Sequence, residues 1–531
     1  MKEENCKGFG AQVSASEDAM ISWKGWAELK RFWSSRRGSV APIFAMMALP
    51  LTMVAGFSVD LSRAYQGHAK LQQAVDATAL ALSHLPTGTP VATLNAQAQN
   101  WINADLHDSD LALPAAVTVT VTNGQLALEA KTHAQAVLSG LVGINQFNMD
   151  ATTTTKWGLN HVEVVLVLDN TGSMSANNKL PTLTSAAQNL VTTLMAQAGN
   201  DVNAVKISIV PFSMTVNVGT QYQNASWMTG VMPTAYGSDI FSTANTNRFT
   251  LFSQLGKTWG GCVETRPMPY DVQDTPPSSG TPATMFVPFF APDEPDTPTS
   301  GGGVFFNNYI SDALSGSPTW QQRQGNVAKY HGTVKSGTNG STGYAYGPNA
   351  GCALAPVLRL TNDQTALSNE LNQMVAIGDT NLTMGLQWGW LAISPTAPFA
   401  DGVAYNTPNT TKIMVFLTDG YNETTANNDS DSSYYSGLGY IWQNRIGVTA
   451  SASQTQRNTA MDNRTALVCN NIKADGIVLY TVRIDVSGVS PAVLQNCATS
   501  ADKFYDVPNV ANLSAAFQQI AGQIGKLRIS Q

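Results

Sequence analysis

The stretch VVLVLDNTGSMS, residues 164–175, is an aliphatic run that stops at a carboxylate and then offers three hydroxyls within a few positions. Val164 to Leu168 reads as a strand buried on both faces, because no polar residue interrupts it. Asp169, Thr171 and Ser173 then stand at its tip, with Gly172 between the last two. Such groups are costly to desolvate beside a core unless something satisfies them. A turn in which Asp169 caps backbone N–H groups is one answer. A metal ion is the other, and it requires further ligands from elsewhere in the chain.

From His161 onward, strand and helix patterns alternate. Strands are expected at 162–168, 412–417 and 477–484, and two more with a tight reversal lie within 202–219. Helices are expected at 179–196, 363–375, 381–393, up to about 473, and at 510–524. The pattern predicts an α/β fold with a mainly parallel sheet covered by helices on both faces. Ligands bind such sheets at the carboxyl ends of the strands. Asp419, in VFLTDGYNE, ends a second strand. Residues 221–350 depart from the alternation, and TPPSSGTPATMFVPFFAPDEPDTPTSGGG within them is rich in Pro and Gly, so this stretch reads as an insertion. Its root is expected on the side away from the metal, because the strand that leads into it runs antiparallel to the others. A second insertion, 421–459, follows Asp419 directly and is expected to overhang the ion and shape partner choice.

Near the N-terminus, GSVAPIFAMMALPLTMVAGFSV (38–59) carries no charge. About 20 apolar helical residues span a bilayer, and membrane helices tolerate kinks such as those expected at Pro42 and Pro50. Lys24, Lys30, Arg31, Arg36 and Arg37 precede this run against Glu28 alone, so for a retained single-pass anchor residues 1–37 are expected in the cytoplasm and the rest beyond the membrane; a cleaved signal peptide and a buried core helix are the alternatives. Trp23, Trp26, Leu29 and Trp33 recur at helical spacing, as in a short interfacial helix. The helical pattern continues without a break to Pro86. Residues 87–157 then suggest a helix at 91–106, strands AVTVTVT and QLALEAKT about an Asn123-Gly124 hairpin turn, a short helix near 134–142 and a last strand at 148–157. A long helix followed by a small antiparallel sheet is the layout of pilin-like proteins.

Composition narrows the function. Of 531 residues, 43% are hydrophobic and 12% charged, so most of the chain can fold around cores, and a net charge of −7 argues against nucleic-acid binding. The six histidines are scattered and no CxxC pair occurs, which excludes a zinc ribbon. LGKT at 255–258 lacks the glycine a phosphate loop needs, since Leu251 stands there, and DGYNETTANNDSDSS lacks the EF-hand spacing. No G-x-S-x-G elbow occurs, and an enzyme is not expected. Four of the five cysteines fall beyond the membrane and allow three connectivities. Cys262–Cys352 and Cys469–Cys497 are favoured, buried free thiols are the alternative, and Cys6 is expected to be reduced.

RRGSVAPIFAMMALPLTMVAGFSVDLSRAYQGHAKLQQAVDATALAL (36–82) resembles the N-terminal segment of tight-adherence (Tad, or Flp) pilus-assembly proteins of the TadE/TadG group. Ile43 stands where TadE-like pseudopilins carry Glu, which favours the uncleaved, TadG-like form. The second half resembles the von Willebrand factor A (VWA) domain and its metal-ion-dependent adhesion site (MIDAS). Asp169, Thr171 and Ser173 match its first element, Thr380 in GDTNLTMGL its second, and Asp419 in TDG its third. The likeness covers about 158–220 and 352–531. It implies a Rossmann-like domain at 158–531, whose five oxygen donors suit Mg²⁺, with Ca²⁺ or Mn²⁺ as alternatives. It further implies binding to an acidic group on a protein partner of the pilus machinery, with no small-molecule substrate. The setting implied is a single-pass bacterial inner-membrane protein, with the bulk of the chain periplasmic. The alternatives are a surface adhesin using the same domain and a metal-dependent hydrolase, for which the sequence offers no convincing base.

Overall fold

The computed structural model describes residues 40–85, 89–122, 125–156, 161–198, 201, 203–234, 239–297, 305–312, 318–424, 431–449, 451–486 and 492–529. The N-terminal tail with its tryptophans, Cys6 and the Asn123-Gly124 turn lie outside them. The chain divides into two compact units, residues 1–157 and 158–531.

In the first unit, the apolar run and the amphipathic stretch after it form one helix, α1 (Val40–Ser83), with Pro50 inside it. Its buried face runs Gly56, Asp60, Ala64, Gly67, Leu71, Ala74, Val75, Thr78, Ala79, Leu82, the three- and four-residue spacing that stacks side chains on one side. α2 (Val91–Asp105) lies beside it. β1 (Ala116–Thr122), β2 (Gln125–Gln135) and β3 (Gln146–Lys156) form an antiparallel sheet in that order. Leu71, Leu82, Leu94, Ile102, Val119, Leu126 and Leu128 share its core. Before Gly56 the helix is almost wholly exposed, with a mean hydropathy of 1.9 over its most apolar window, and it is a candidate membrane span. Thr52 and Ser58 donate their hydroxyls to carbonyls one turn back, so neither is left unsatisfied in an apolar setting. The helix expected near 134–142 shrinks to one 3₁₀ turn, Ser139–Val142, because β2 continues to Gln135.

In the second unit, β4 (His161–Asp169) leads to α3 (Lys179–Gln197), β5 (Val205–Phe212) and β6 (Val216–Asn217). Then come α4 (Arg248–Gln254), β7 (Cys262–Val263), α5 (Trp320–Gln324), β8 (Leu358–Thr361), α6 (Gln364–Asn372) and α7 (Leu382–Ile393). β9 (Thr410–Thr418), α8 (Gln454–Ala474), β10 (Val478–Ile484), α9 (Ala492–Cys497), β11 (Phe504–Val507) and α10 (Leu513–Ile529) complete it. Among the described residues the sheet order is β11-β10-β9-β4-β5-β6-β7, with β8 on β5. The first five of these strands run parallel, and β6, β7 and β8 join antiparallel.

The central strands feed two cores, as a period of two requires. Val165 and Val167 of β4, with Met414 and Phe416 of β9, face α7 and the 221–350 segment. Val164, Leu166 and Leu168, with Ile413, Val415 and Leu417, face α3, α6 and α10. Every side chain of α7 is buried. Its two glycines let it press onto the sheet, since a Cβ on Gly389 would stand 2.4 Å from Val167 Cγ2 and one on Gly385 2.6 Å from the Phe212 ring. Both favoured disulfides are formed, Cys262–Cys352 and Cys469–Cys497.

The root of the 221–350 segment is not where topology suggested. β6 is two residues long and pairs Val216 with Phe212, so the chain turns aside at the carboxyl end of β5 instead of returning down the sheet. The segment contributes β7 to the sheet and meets the 421–459 segment there: Thr265 N–H donates to Gly437 O at 2.8 Å, and Gly437 N–H to Met214 O at 2.9 Å. Both segments therefore rise on the side where Asp169 lies.

Candidate metal site

Strand register brings the first two loops together. Asp169 is the last residue of β4, and Leu168 pairs with Leu417 of β9, so Asp169 and Asp419 emerge from neighbouring parallel strands. Asp169 is fully buried. Its Oδ1 accepts the Thr171 N–H at 2.7 Å and its Oδ2 the Thr418 hydroxyl at 2.6 Å. Burial, and then the charge of Asp419, push its carboxyl up to about 6. The Thr171 and Ser173 hydroxyls lie 2.9 Å apart, and Ser173 Oγ donates to Asp419 Oδ1 at 2.7 Å across 246 residues of sequence.

The third loop is clamped by backbone. Gly172 N–H donates to Gly378 O at 2.9 Å, Ile377 N–H to Asn170 O at 2.7 Å, and Asn170 Nδ2 to Val375 O at 3.1 Å. These bonds set Thr380 beside the site. It is buried, its carbonyl accepts the Glu423 N–H at 2.9 Å, and its hydroxyl faces Gly420, 3.6 Å from where a Cβ on that glycine would stand. Asn381, next in sequence, caps α7 by accepting the Met384 N–H. All five sequence candidates thus gather at one end of the sheet, Asp169, Thr171, Ser173 and Asp419 through a continuous hydrogen-bonded chain.

Four participants escaped the sequence reading. Thr418 pairs with Asp169, and only its place in LTDG hinted at a role. Lys179, the first residue of α3, is buried and donates to Asp419 Oδ2 at 2.5 Å. Asp485, past the end of β10, accepts from Asn177 Nδ2 at 2.8 Å. Asp379 adds to the burial that raises the Glu423 carboxyl, which puts further negative charge at the rim.

Among the described residues, no group of three or more His, Cys, Asp or Glu side chains is placed to hold a metal. The set here is of another kind, two carboxylates and three hydroxyls, all hard oxygens of the type that suits Mg²⁺, Ca²⁺ or Mn²⁺. Ser213 Oγ and Asn170 Oδ1, on the loops that frame it, are buried without a hydrogen-bond partner among the described residues. Tyr440 OH donates to Glu294 Oε1 at 2.9 Å and Gln324 Nε2 to Asp431 at 3.1 Å, tying the 221–350 and 421–459 segments to each other.

Residues 38–83 match the Tad family of TadE/G-like Flp pilus-assembly proteins. No curated protein matches the chain. Its structural neighbours include the vWF domain of the type V pili tip protein Mfa5 from Porphyromonas gingivalis, at 11% identity over 70% of this chain and 97% of that one, with a TM-score of 0.32. The pilus adhesin SpaC from Lactobacillus rhamnosus GG is 12% identical over 80% of this chain and 35% of that one, TM-score 0.31. The pilus adhesin RrgA from Streptococcus pneumoniae is 10% identical over 77% and 49%, TM-score 0.29. This chain therefore spans about a third of the length of SpaC. At TM-scores this low the likenesses say nothing of what it binds. The N-terminal helix is the part of the chain that carries a TadE/G-like signature.

Proposed function

We propose that this chain is a membrane-anchored pilus-assembly protein of the tight-adherence (Flp) system, TadG-like in organisation. In this reading its first unit is a pilin-like assembly domain. Its second is a VWA domain that holds a divalent cation, Mg²⁺ first, and presents it to an acidic side chain of a partner protein. The observation that carries the binding reading is the chain of hydrogen bonds from Thr418 through Asp169, Thr171 and Ser173 to Asp419, gathered at adjacent strand ends. Residues would act in named ways. Asp169 and Asp419 supply the negative charge that holds the ion, and the hydroxyls of Thr171, Ser173 and Thr380 supply neutral oxygens. With neutral donors in the majority, the ion stays electron-poor and favours an incoming carboxylate. Thr418 holds Asp169 in orientation, and the 221–350 and 421–459 segments form the wall a partner must fit.

Titration calorimetry of the full chain in detergent with Mg²⁺ tests this reading. Binding is expected in the wild type, absent in Asp419→Asn and weakened in Ser173→Ala; a wild type without binding would overturn it. Crosslinking in cells with and without EDTA should then capture a pilus component only when the metal is present. A pool of the protein released to the cell surface would replace the assembly reading with a surface adhesin, and turnover lost in Asp169→Ala would replace it with a hydrolase.

A further inference from the structure

The loop AVLSGLVGIN, residues 136–145, carries no charge, yet it is held by a buried carboxylate. Asp60 Oδ2 accepts three consecutive backbone N–H groups, from Val137 at 3.2 Å, Leu138 at 2.8 Å and Ser139 at 2.7 Å. Asp60 is 3% exposed and is the first charged residue after the apolar run of α1. One turn earlier on the same face, Gly56 receives the loop: a Cβ there would stand 2.8 Å from Leu138 Cβ, so only glycine permits the contact. Gly56 lies four residues, about 6 Å, before Asp60 along the helix axis. The loop is thus pinned at the level of the last apolar turn.

Pinned there, it leaves several apolar side chains exposed. Val137 is 63% exposed, Leu138 44% and Ile144 38%, alongside the exposed Phe57 and Val59 of α1. Water would penalise such a cluster, at roughly 25 cal/mol per Å² of apolar surface. A bilayer would not. The patch continues the exposed apolar face of α1, the candidate membrane span.

We infer that Val137, Leu138 and Ile144 form a membrane-contacting wedge, seated in the headgroup–acyl boundary and keyed to α1 by Asp60. The inference rests on α1 spanning the bilayer. Such interfacial apolar side chains add to anchoring in proportion to the area they bury. They also favour one depth for the helix, since the wedge is held at the level of its last apolar turn.

The test places an environment-sensitive nitrobenzoxadiazole label at single cysteines of the full chain, on a Cys6→Ser background. The protein is held in nanodiscs of phosphatidylcholine and phosphatidylglycerol. Val137→Cys reports on the wedge, Leu49→Cys on the span, and Asp108→Cys, at a fully exposed side chain, on bulk water. The expected result is blue-shifted emission at 137 and reduction by aqueous dithionite about tenfold slower than at 108. Lipid-like emission at 49 with water-like behaviour at 137 would overturn the wedge and leave the span standing. Water-like behaviour at 49 would overturn the span and the wedge with it.

Discussion

Lys179 Nζ stands 2.5 Å from Asp419 Oδ2 and 3.9 Å from Asp485 Oδ2, with its side chain 8% exposed. A protein cation therefore shares the carboxylate that would hold a metal. Two cations on one carboxylate repel each other, the more so away from water. Lys179→Met should tighten Mn²⁺ binding about tenfold, some 1.4 kcal/mol, as read by calorimetry. Equal affinity in the two proteins would make Lys179 a packing residue.

A second prediction concerns pH. Glu370 of α6 is 6% exposed, and burial raises its carboxyl to about 7. Its Oε1 has no partner among the described residues. The folded state thus holds its proton more tightly than the unfolded chain does. Stability from this group is complete below the unfolded value near 4.5 and is lost as pH rises through about 7. Glu370→Gln should change little at pH 5 and stabilise the protein at pH 8 by on the order of 1–3 kcal/mol, measured by denaturant titration at both pH values. An equal effect at the two pH values would refute the assignment.

The Cys262–Cys352 bridge closes a loop with a sequence separation of 90, and it ties β7 to the chain that returns as β8. Double replacement by Ala should cost about 2–5 kcal/mol. Non-reducing peptide mapping should recover this pair and Cys469–Cys497. A Cys262–Cys469 peptide would contradict the fold.

Close approach at α7 makes a further case. A Cβ on Gly389 would fall 2.4 Å from Val167 Cγ2 and 3.1 Å from Met414 Cε. Gly389→Ala should therefore destabilise by about 1–3 kcal/mol through overpacking, despite the better helix propensity of Ala. A melting temperature that rises in this variant would show that the sheet yields.

By itself, the sequence determined the alternation of strands and helices, the charge-free run at 38–59, and a strand tip where Asp169, Thr171 and Ser173 had to find partners. These features are local: side-chain period and the cost of burying a carboxylate are written in consecutive residues. Tertiary structure decided the rest. That Ser173 meets Asp419, that Lys179 turns its ammonium inward, and that Asp485 joins from a third strand follow from strand order and register. The two-residue length of β6, which put the 221–350 segment on the Asp169 side, depends on pairing beyond any local pattern. So does the grip of Asp60 on residues 137–139, nearly eighty positions away. Burial and Coulomb energy are set by distances in space, and those exist only once the sheet has formed.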